Sequence, residues 1–408
     1  MTVQETFQAV PVTERVYWVG AIDWAIRDFH GYLTSRGTTY NAFLILDDVV
    51  TLIDTVKRPF MDEMMGRIRS VVDPSRIRYV VSNHAEMDHS GCLPEVLRAL
   101  RPEKLLASPM GAKALEDHFH LGHPIEVVKD GQEVSLGKLS LRFAETRMCH
   151  WPDSMFSYIP QEQLLFSQDG FGMHLASSQR FDDQIEPTVL DYESAKYYAN
   201  ILLPLSNFIV KALEKVEHLG WACKLICPDH GPIWRRGMGK IIADYGRWAR
   251  QAPTDKALVV FDTMWQSTQL MARAVAEGLQ AGGARPLLLP LSASHRSDVA
   301  TELLEAGGLV VGTPTINNNL FPTLADTLSY LKGLKRTNLV GAAFGSFGWS
   351  GEGAKQVHEI LTDMGVEMVA DKPFQVKYVP DEAALRQCRD LGLAVAERMK
   401  ARNEQVNP

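Results

Sequence analysis

The chain has 408 residues, of which 46% are hydrophobic and 22% charged, and its formal net charge is −7. That length exceeds one ordinary hydrophobic core and predicts two domains or three, while the negative balance argues against a nucleic-acid partner. No apolar run approaches the roughly 20 residues of a membrane span, and the start, MTVQETFQAVPVTERV, lacks the apolar segment of a signal peptide; the cytoplasm is the expected compartment.

The first 170 residues read as short strands more than helices: RVYWVGA, TYNAFLIL and VVTLID, a helical PFMDEMMGRIRSVV, then IRYVVS, IEVV, LSLRFAE, MFSYIP and QLLFSQ. Two sheets with helices outside them suit this order. A long amphipathic helix is expected from Tyr192 to about Leu219, followed by the strand KLICP and a helix through YGRWARQ. The polar, proline-containing QAPTDK then interrupts the periodicity, and five β-α units follow: strands KALVVFD, RPLLLPL, GLVVGT, NLVGAAFG and VEMVAD, each with a helix after it. Such alternation predicts a doubly wound parallel sheet, with domains at 1–252 and 253–408.

Five scattered cysteines (Cys92, Cys149, Cys223, Cys227, Cys388) fit reduced thiols better than a disulfide framework. Cys223 and Cys227, inside WACKLICP, are expected as core thiols. No Cys-x-x-Cys pair occurs, so neither a rubredoxin-type iron site nor a zinc ribbon is expected.

Directly after IRYVVS comes SNHAEMDHSG, which places His84, Glu86, Asp88 and His89 in one loop. A zinc hydrolase loop of this kind usually reads His-x-His-x-Asp-His, and here Glu86 stands in place of the second histidine. His150, Asp169 and His230 also follow strand-like runs, which makes four imidazoles and three carboxylates. Three carboxylates leave one positive charge on two divalent ions, which a bridging hydroxide neutralises. Harder anionic ligands beside imidazole favour metals that reach the trivalent state, so two irons are preferred over two zincs, although zinc also accepts this donor mixture. The histidine-rich DHFHLGH (His118, His120, His123) has no converging carboxylates and reads as solvated surface.

In the second half, three loops leave the carboxyl ends of predicted strands. DTMWQST (Thr263, Met264, Trp265, Gln266, Ser267, Thr268) opens a helix and offers backbone N–H groups and hydroxyls to an anion, without the lysine of a Walker loop or the glycines of a dinucleotide fold. GTPTINNN contributes Pro314, Thr315, Ile316, Asn317 and Asn318. FGSFGWSGEG contributes Gly345, Ser346, Phe347, Gly348, Trp349, Ser350 and Gly351. A cradle for one terminal monophosphate, with tryptophans to stack on a flat ring, predicts FMN.

Taken together, DWAIRDFHGY, RGTTYNAFLI, HAEMDHSG, HWPDSM, DGFG, YYANI, DHGP, DTMWQST, PTINN and FGSFGWSG resemble the flavodiiron proteins over essentially the whole chain. That family joins a metallo-β-lactamase-like αββα sandwich to a flavodoxin-like domain. The resemblance implies one iron at His84, Glu86 and His150, a second at Asp88, His89 and His230, and Asp169 as the bridge. It also implies reduction of dioxygen to water, of nitric oxide to nitrous oxide, or of both, with electrons passing through FMN. Because this chain lacks the cysteines of an appended rubredoxin domain, the donor is expected to be a separate protein such as rubredoxin. His30, His174 and Tyr197 lie in family-like motifs and are expected as proton donors beside the metals, against the alternative of ordinary structural hydrogen bonding. A head-to-tail homodimer is implied too, or a tetramer built as a dimer of such dimers. Two other readings stay open on the residues alone: a zinc-dependent hydrolase fused to a flavodoxin-like domain, and an electron carrier with an inert metal domain.

Overall fold

A computed structural model describes residues 6–406; the first five residues of the stretch read for a signal lie outside the described residues. The chain divides into two units, one of residues 1–197 and 207–246, the other of residues 198–206 and 247–408.

In the first unit, seven strands form one sheet in the order Val10–Pro11, Val16–Trp18, Phe43–Ile45, Val50–Ile53, Ile77–Ser82, Lys104–Ala107, Ile125–Val127. Pairing is antiparallel up to Val50–Ile53 and parallel beyond it. A second sheet runs Glu133–Ser135, Ser140–Glu145, Met155–Ile159, Leu164–Gln168, Leu225–Pro228, with only the last pair parallel. Trp18, Phe43, Val81 and Leu106 of the first sheet meet Leu141, Phe143, Met155 and Phe166 of the second in a buried layer, where the Phe43 and Phe166 rings lie 5.2 Å apart. On its other face the first sheet packs Leu44, Leu52, Val80 and Leu105 against Met64, Met65 and Ile68 of helix Met61–Arg69 and Val96 and Leu97 of helix Leu93–Leu100. Two sheets with helices outside, as the strand order predicts, is the architecture found.

The run TYNAFLIL forms two strands instead of one, Thr38–Tyr40 and Phe43–Ile45. Asn41 lies between them. Its amide donates to the carbonyls of Pro228 and Gly231, and its side-chain oxygen accepts from the Trp18 indole. The helix expected from Tyr192 to Leu219 is also interrupted: Pro187–Tyr197 is α-helical, Tyr198–Leu202 widens into a π turn, Leu203–Leu205 tightens, and Ser206–His218 resumes the helix. Pro204 supplies no N–H to the helical ladder, and the break falls where the chain passes between the units.

The second unit holds a parallel sheet in the order Arg285–Pro290, Lys256–Phe261, Gly308–Ile316, Val340–Phe347, Glu367–Met368. Numbered along the chain this is 2-1-3-4-5, the flavodoxin-type order, with its switch point between the first and third strands. The fifth strand is split. Phe374–Lys377, not expected from the sequence, continues the pairing with Val340–Phe347 after Glu367–Met368 ends.

Helices Ser267–Ala281 and Glu382–Val406 approach each other backbone to backbone. A Cβ on Gly278 would lie 1.9 Å from the Arg389 carbonyl oxygen, and one on Gly392 would lie 2.0 Å from that of Val275. Gly392→Val therefore forces these helices apart, and the expected cost is about 1–3 kcal/mol in the second unit. A lower urea midpoint for a probe in that unit, with the first unit unchanged, is the expected reading; an unchanged midpoint would show that the contact is dispensable.

Candidate active site

Each candidate metal ligand stands just beyond, or just before, a strand of the first unit. Ile77–Ser82 delivers His84 and Glu86, and the short helix Met87–Ser90 then turns Asp88 and His89 inward. His150 precedes Met155–Ile159, and His230 follows Leu225–Pro228. At the end of Leu164–Gln168 a register shift, with Gln168 at φ 41°, aims Asp169 into the same pocket. The Gln168 amide donates to the Cys149 carbonyl, and its side-chain oxygen accepts from the Asp169 N–H at 2.7 Å.

The seven side chains fall into two groups around Asp169. His84 Nε2 lies 3.2 Å from Glu86 Oε2 and 3.3 Å from Asp169 Oδ2; His150 Nε2 lies 3.2 Å and 2.9 Å from the same two oxygens. On the other side, His89 Nε2 is 3.4 Å from Asp88 Oδ1 and 3.3 Å from Asp169 Oδ1, while His230 Nε2 is 3.2 Å from Asp88 Oδ2 and 3.5 Å from Asp169 Oδ1. The two oxygens of Asp169 thus face different histidine pairs. Donor atoms about 2.1 Å from a shared ion and roughly 90–110° apart sit about 3.0–3.5 Å from one another, which is the spacing found. Both oxygens of Asp88, both nitrogens of His89 and Oδ1 of Asp169 are buried without a hydrogen-bond partner in the protein. Such groups fit metal ions.

The far ring nitrogens are held from behind. His84 Nδ1 donates to Asp153 Oδ2 at 3.2 Å, an oxygen that also accepts from the Ala85 N–H at 2.6 Å. His230 Nδ1 donates to the Thr39 carbonyl at 2.6 Å, and Asp229 Oδ2 lies 3.6 Å from His89 Nδ1. The first two contacts turn the Nε2 atoms of His84 and His230 toward the carboxylates, an arrangement typical of metal-binding histidines. Asp153 and Asp229 were not singled out from the sequence, although HWPDSM and DHGP contain them three residues and one residue from a candidate ligand.

The electrostatics follow from burial and neighbouring charge. Burial works against a charged His89, but Asp88, Asp229 and Asp169 outweigh it and push the imidazole up to about 10. Burial likewise opposes charge on His150, and the hydrogen bonds it donates to Asp169 and Glu86 raise it to about 9. His84 is raised despite burial by Asp153 and Glu86. Burial pushes the Glu86 and Asp169 carboxyls up, and neighbouring imidazoles overcome it and hold both low. Burial and Asp54 push Asp229 up. Imidazoles so placed give up their protons to a competing cation, so metal binding here releases protons.

Three further residues lie around the pocket, His174 and Tyr197 beside the second group and His30 beside the first. His174, buried, has its ring 4.6 Å from His230 and 5.1 Å from Tyr197, and its Nδ1 lies 2.9 Å from Thr38 Oγ1. Burial and His230 hold it neutral, whereas burial and Asp169 keep the Tyr197 phenol protonated. His30 lies on the outer side, its side chain 76% exposed and its Nε2 3.6 Å from Glu86 Oε1. His118 and His120 are exposed and His123 half-buried around the end of helix Pro109–Phe119; none of them joins a ligand group, although the His118 ring lies 6.1 Å from that of Trp151, which packs on His84 at 5.2 Å.

In the second unit the three expected loops meet at a cavity of about 640 Å³, within the range of cofactor sites. Thr263, Met264, Trp265, Ser267, Pro314, Thr315, Asn317, Asn318, Ser346, Phe347, Gly348, Trp349 and Ser350 line it. Thr263 Oγ1 is buried without a hydrogen-bond partner, beside the N-terminus of helix Ser267–Ala281, and so fits a phosphate. Trp265 and Trp349, 90% and 88% exposed, offer ring faces at the rim. Of the other expected contacts, Thr268 is buried with its hydroxyl 2.9 Å from Ser346 Oγ, and Gln266 adopts a left-handed conformation (φ 69°) just before the helix. Ile316, Gly345 and Gly351 do not line the cavity either. Tyr378 and Val379 do, and the sequence reading missed them. Reading FQVK as a strand was the available signal, since Phe374–Lys377 carries Tyr378 to the rim, where its N–H donates to the Phe347 carbonyl at 2.7 Å.

Comparison with known proteins agrees with this division. A family model described as ODP family beta lactamase matches residues 38–231, and one described as Flavodoxin matches residues 259–392. The chain is 45% identical to the nitric oxide reductase of Moorella thermoacetica over 395 residues, covering 96% of this chain and 99% of that one. It is also 45% identical to the rubredoxin-oxygen oxidoreductase of Megalodesulfovibrio gigas over 399 residues, covering 97% and 99%. The crystal structure of the flavodiiron protein from Giardia intestinalis matches with a TM-score of 0.95 at 34% identity, over 98% of this chain and 99% of that one. With a β-lactamase-like unit that carries two groups of metal-ligand type around one carboxylate and a flavodoxin unit with a phosphate cradle, the chain belongs to the flavodiiron protein family.

Proposed function

We propose that this chain reduces dioxygen to water, nitric oxide to nitrous oxide, or both, in the cytoplasm, with electrons from a donor of the rubredoxin type. Asp169 carries the reading, because its two oxygens address two imidazole pairs at once. When bound, two irons supply gas binding and reducing electrons, and FMN supplies the exchange between single-electron delivery and that demand. His84, Glu86 and His150 would hold one ion and Asp88, His89 and His230 the other, with Asp169 facing both. Tyr197 keeps its proton and lies within the ring of residues around His230, so it is placed to donate. His30 reaches Glu86 from the solvent side and relays protons inward, and neutral His174 steadies His230. Residues 253–408 would hold FMN, with Thr263, Ser267 and the helix N-terminus suited to its phosphate and Trp265 and Trp349 offering ring faces to its flat ring.

No helix is long and apolar enough to cross a membrane among the described residues. We further infer a head-to-tail homodimer in which the flavin loops of one chain serve the metal pocket of its partner. The two sites lie in different units, and the chain passes directly from one unit to the other at 197/198, 206/207 and 246/247, without a long flexible linker.

The functional test is anaerobic reduction of the purified protein, followed by separate additions of each gas under a selective electrode. Consumption of at least one gas is expected; a protein with two metal ions and FMN that consumes neither contradicts the reading, and hydrolysis with two zincs would establish the alternative. His84→Ala and Asp169→Ala should each abolish gas reduction and leave the flavin spectrum and its photoreduction intact, since the cradle lies in the other unit. Asp153→Asn keeps the volume but weakens the hold on His84, and a loss of about 10–100-fold in metal affinity or activity is expected, against no change if Asp153 is only structural. For the dimer, chains carrying His84→Ala are coexpressed with chains carrying replacements of Thr263, Ser267 and Thr268, and the doubly tagged mixed dimer is isolated. One active site should return; an inactive mixed dimer with its full flavin and metal content would reject the cross-chain arrangement.

A further inference from the structure

We infer that an apolar cavity behind the metal pocket is the entry and holding site for the substrate gas, an inference that rests on the functional reading above. This cavity has a volume of about 390 Å³ and lies in the first unit, between the second sheet and helices Ser206–His218 and Met238–Ala249. Its floor includes Cys149, Gly170 and Phe171, all buried. Cys149 adjoins His150 in the chain, and Gly170 adjoins Asp169, so two floor residues are direct chain neighbours of proposed ligands.

The walls grow more open outward. Phe156, Leu165 and Ile226, from the sheet, are buried, whereas Val216 on one helix is half-buried and Ile242 on the other is 39% exposed. Glu217, the charged member of the lining, stands at the exposed end. An isolated apolar void is ordinarily a packing imperfection; this one runs from the surface to the backbone that carries the ligands. Small apolar diatomic molecules partition from water into such space, and ordered water finds few polar partners there. Ligand class and position agree: dioxygen and nitric oxide are the species the adjacent pocket would consume.

The experiment uses xenon as a probe of apolar gas sites, in pressurised crystals of the holoprotein, together with gas-consumption kinetics. Val216→Trp at the mouth fills the cavity without touching a ligand, and Ile242→Trp on the facing helix repeats the test if the first variant loses iron or FMN. We expect xenon in the wild-type cavity and none in the variant. We also expect kcat/KM for the gas to fall about fivefold while kcat at saturating gas, iron content and flavin content are unchanged. Absence of xenon from the wild-type cavity overturns the inference, and so does an unchanged kcat/KM in a variant that excludes xenon. Should the wild-type holoprotein consume neither gas, the functional reading fails and the entry route with it, while the xenon density still reports separately whether the cavity accepts an apolar gas.

Discussion

Three carboxylates and four imidazoles converge in a pocket that is almost wholly buried, and every other feature of the first unit bears on that concentration of ionisable groups. Desolvating a carboxylate is costly unless a positive charge or hydrogen-bond donors replace the lost water. Here the replacement is mutual and incomplete: the imidazole nitrogens approach the carboxylate oxygens at 2.9–3.5 Å, yet several of these atoms make no hydrogen bond. Two multivalent cations would resolve the imbalance, and the two oxygens of Asp169 face different imidazole pairs.

The fold meets this constraint by committing strands from two sheets. Parallel strand ends of the first sheet aim His84 through His89, and the second sheet aims Asp169 and His230 from its own parallel pair. The buried layer between the sheets fixes the distance across which these loops meet. Behind the candidate ligands, Asp153 and the Thr39 carbonyl set the orientations of the His84 and His230 rings, so the pocket is shaped by groups that never face its centre. A change in the inter-sheet layer reaches the site through backbone position, and a change at Asp153 reaches it through the rotation of one ring.

Legibility from sequence followed the range of the interactions. HAEMDH lies in one loop after an apolar strand, so its convergence is local and readable; His150, Asp169 and His230 were readable because each neighbours a strand-like run. The flavin loops are local in the same sense, each a strand end followed by a helix. What escaped was set by contacts between distant segments. Asn41 breaks a strand to bond Pro228 and Gly231, the helix around Tyr198–Leu205 yields where the chain changes unit, and Tyr378 reaches the flavin cavity through the pairing of a short strand. The role of Asp153 depends on an atom 69 residues away and has no periodic signature.

The central claim is that Asp169 bridges two iron ions held by the other six side chains. Its most direct test is anomalous diffraction above and below the iron and zinc edges from crystals of the protein purified with ample iron. The account predicts two iron peaks in the first unit, one on the side of each Asp169 oxygen. A single peak, or two zinc peaks in protein that retains full gas-reducing activity, would contradict it.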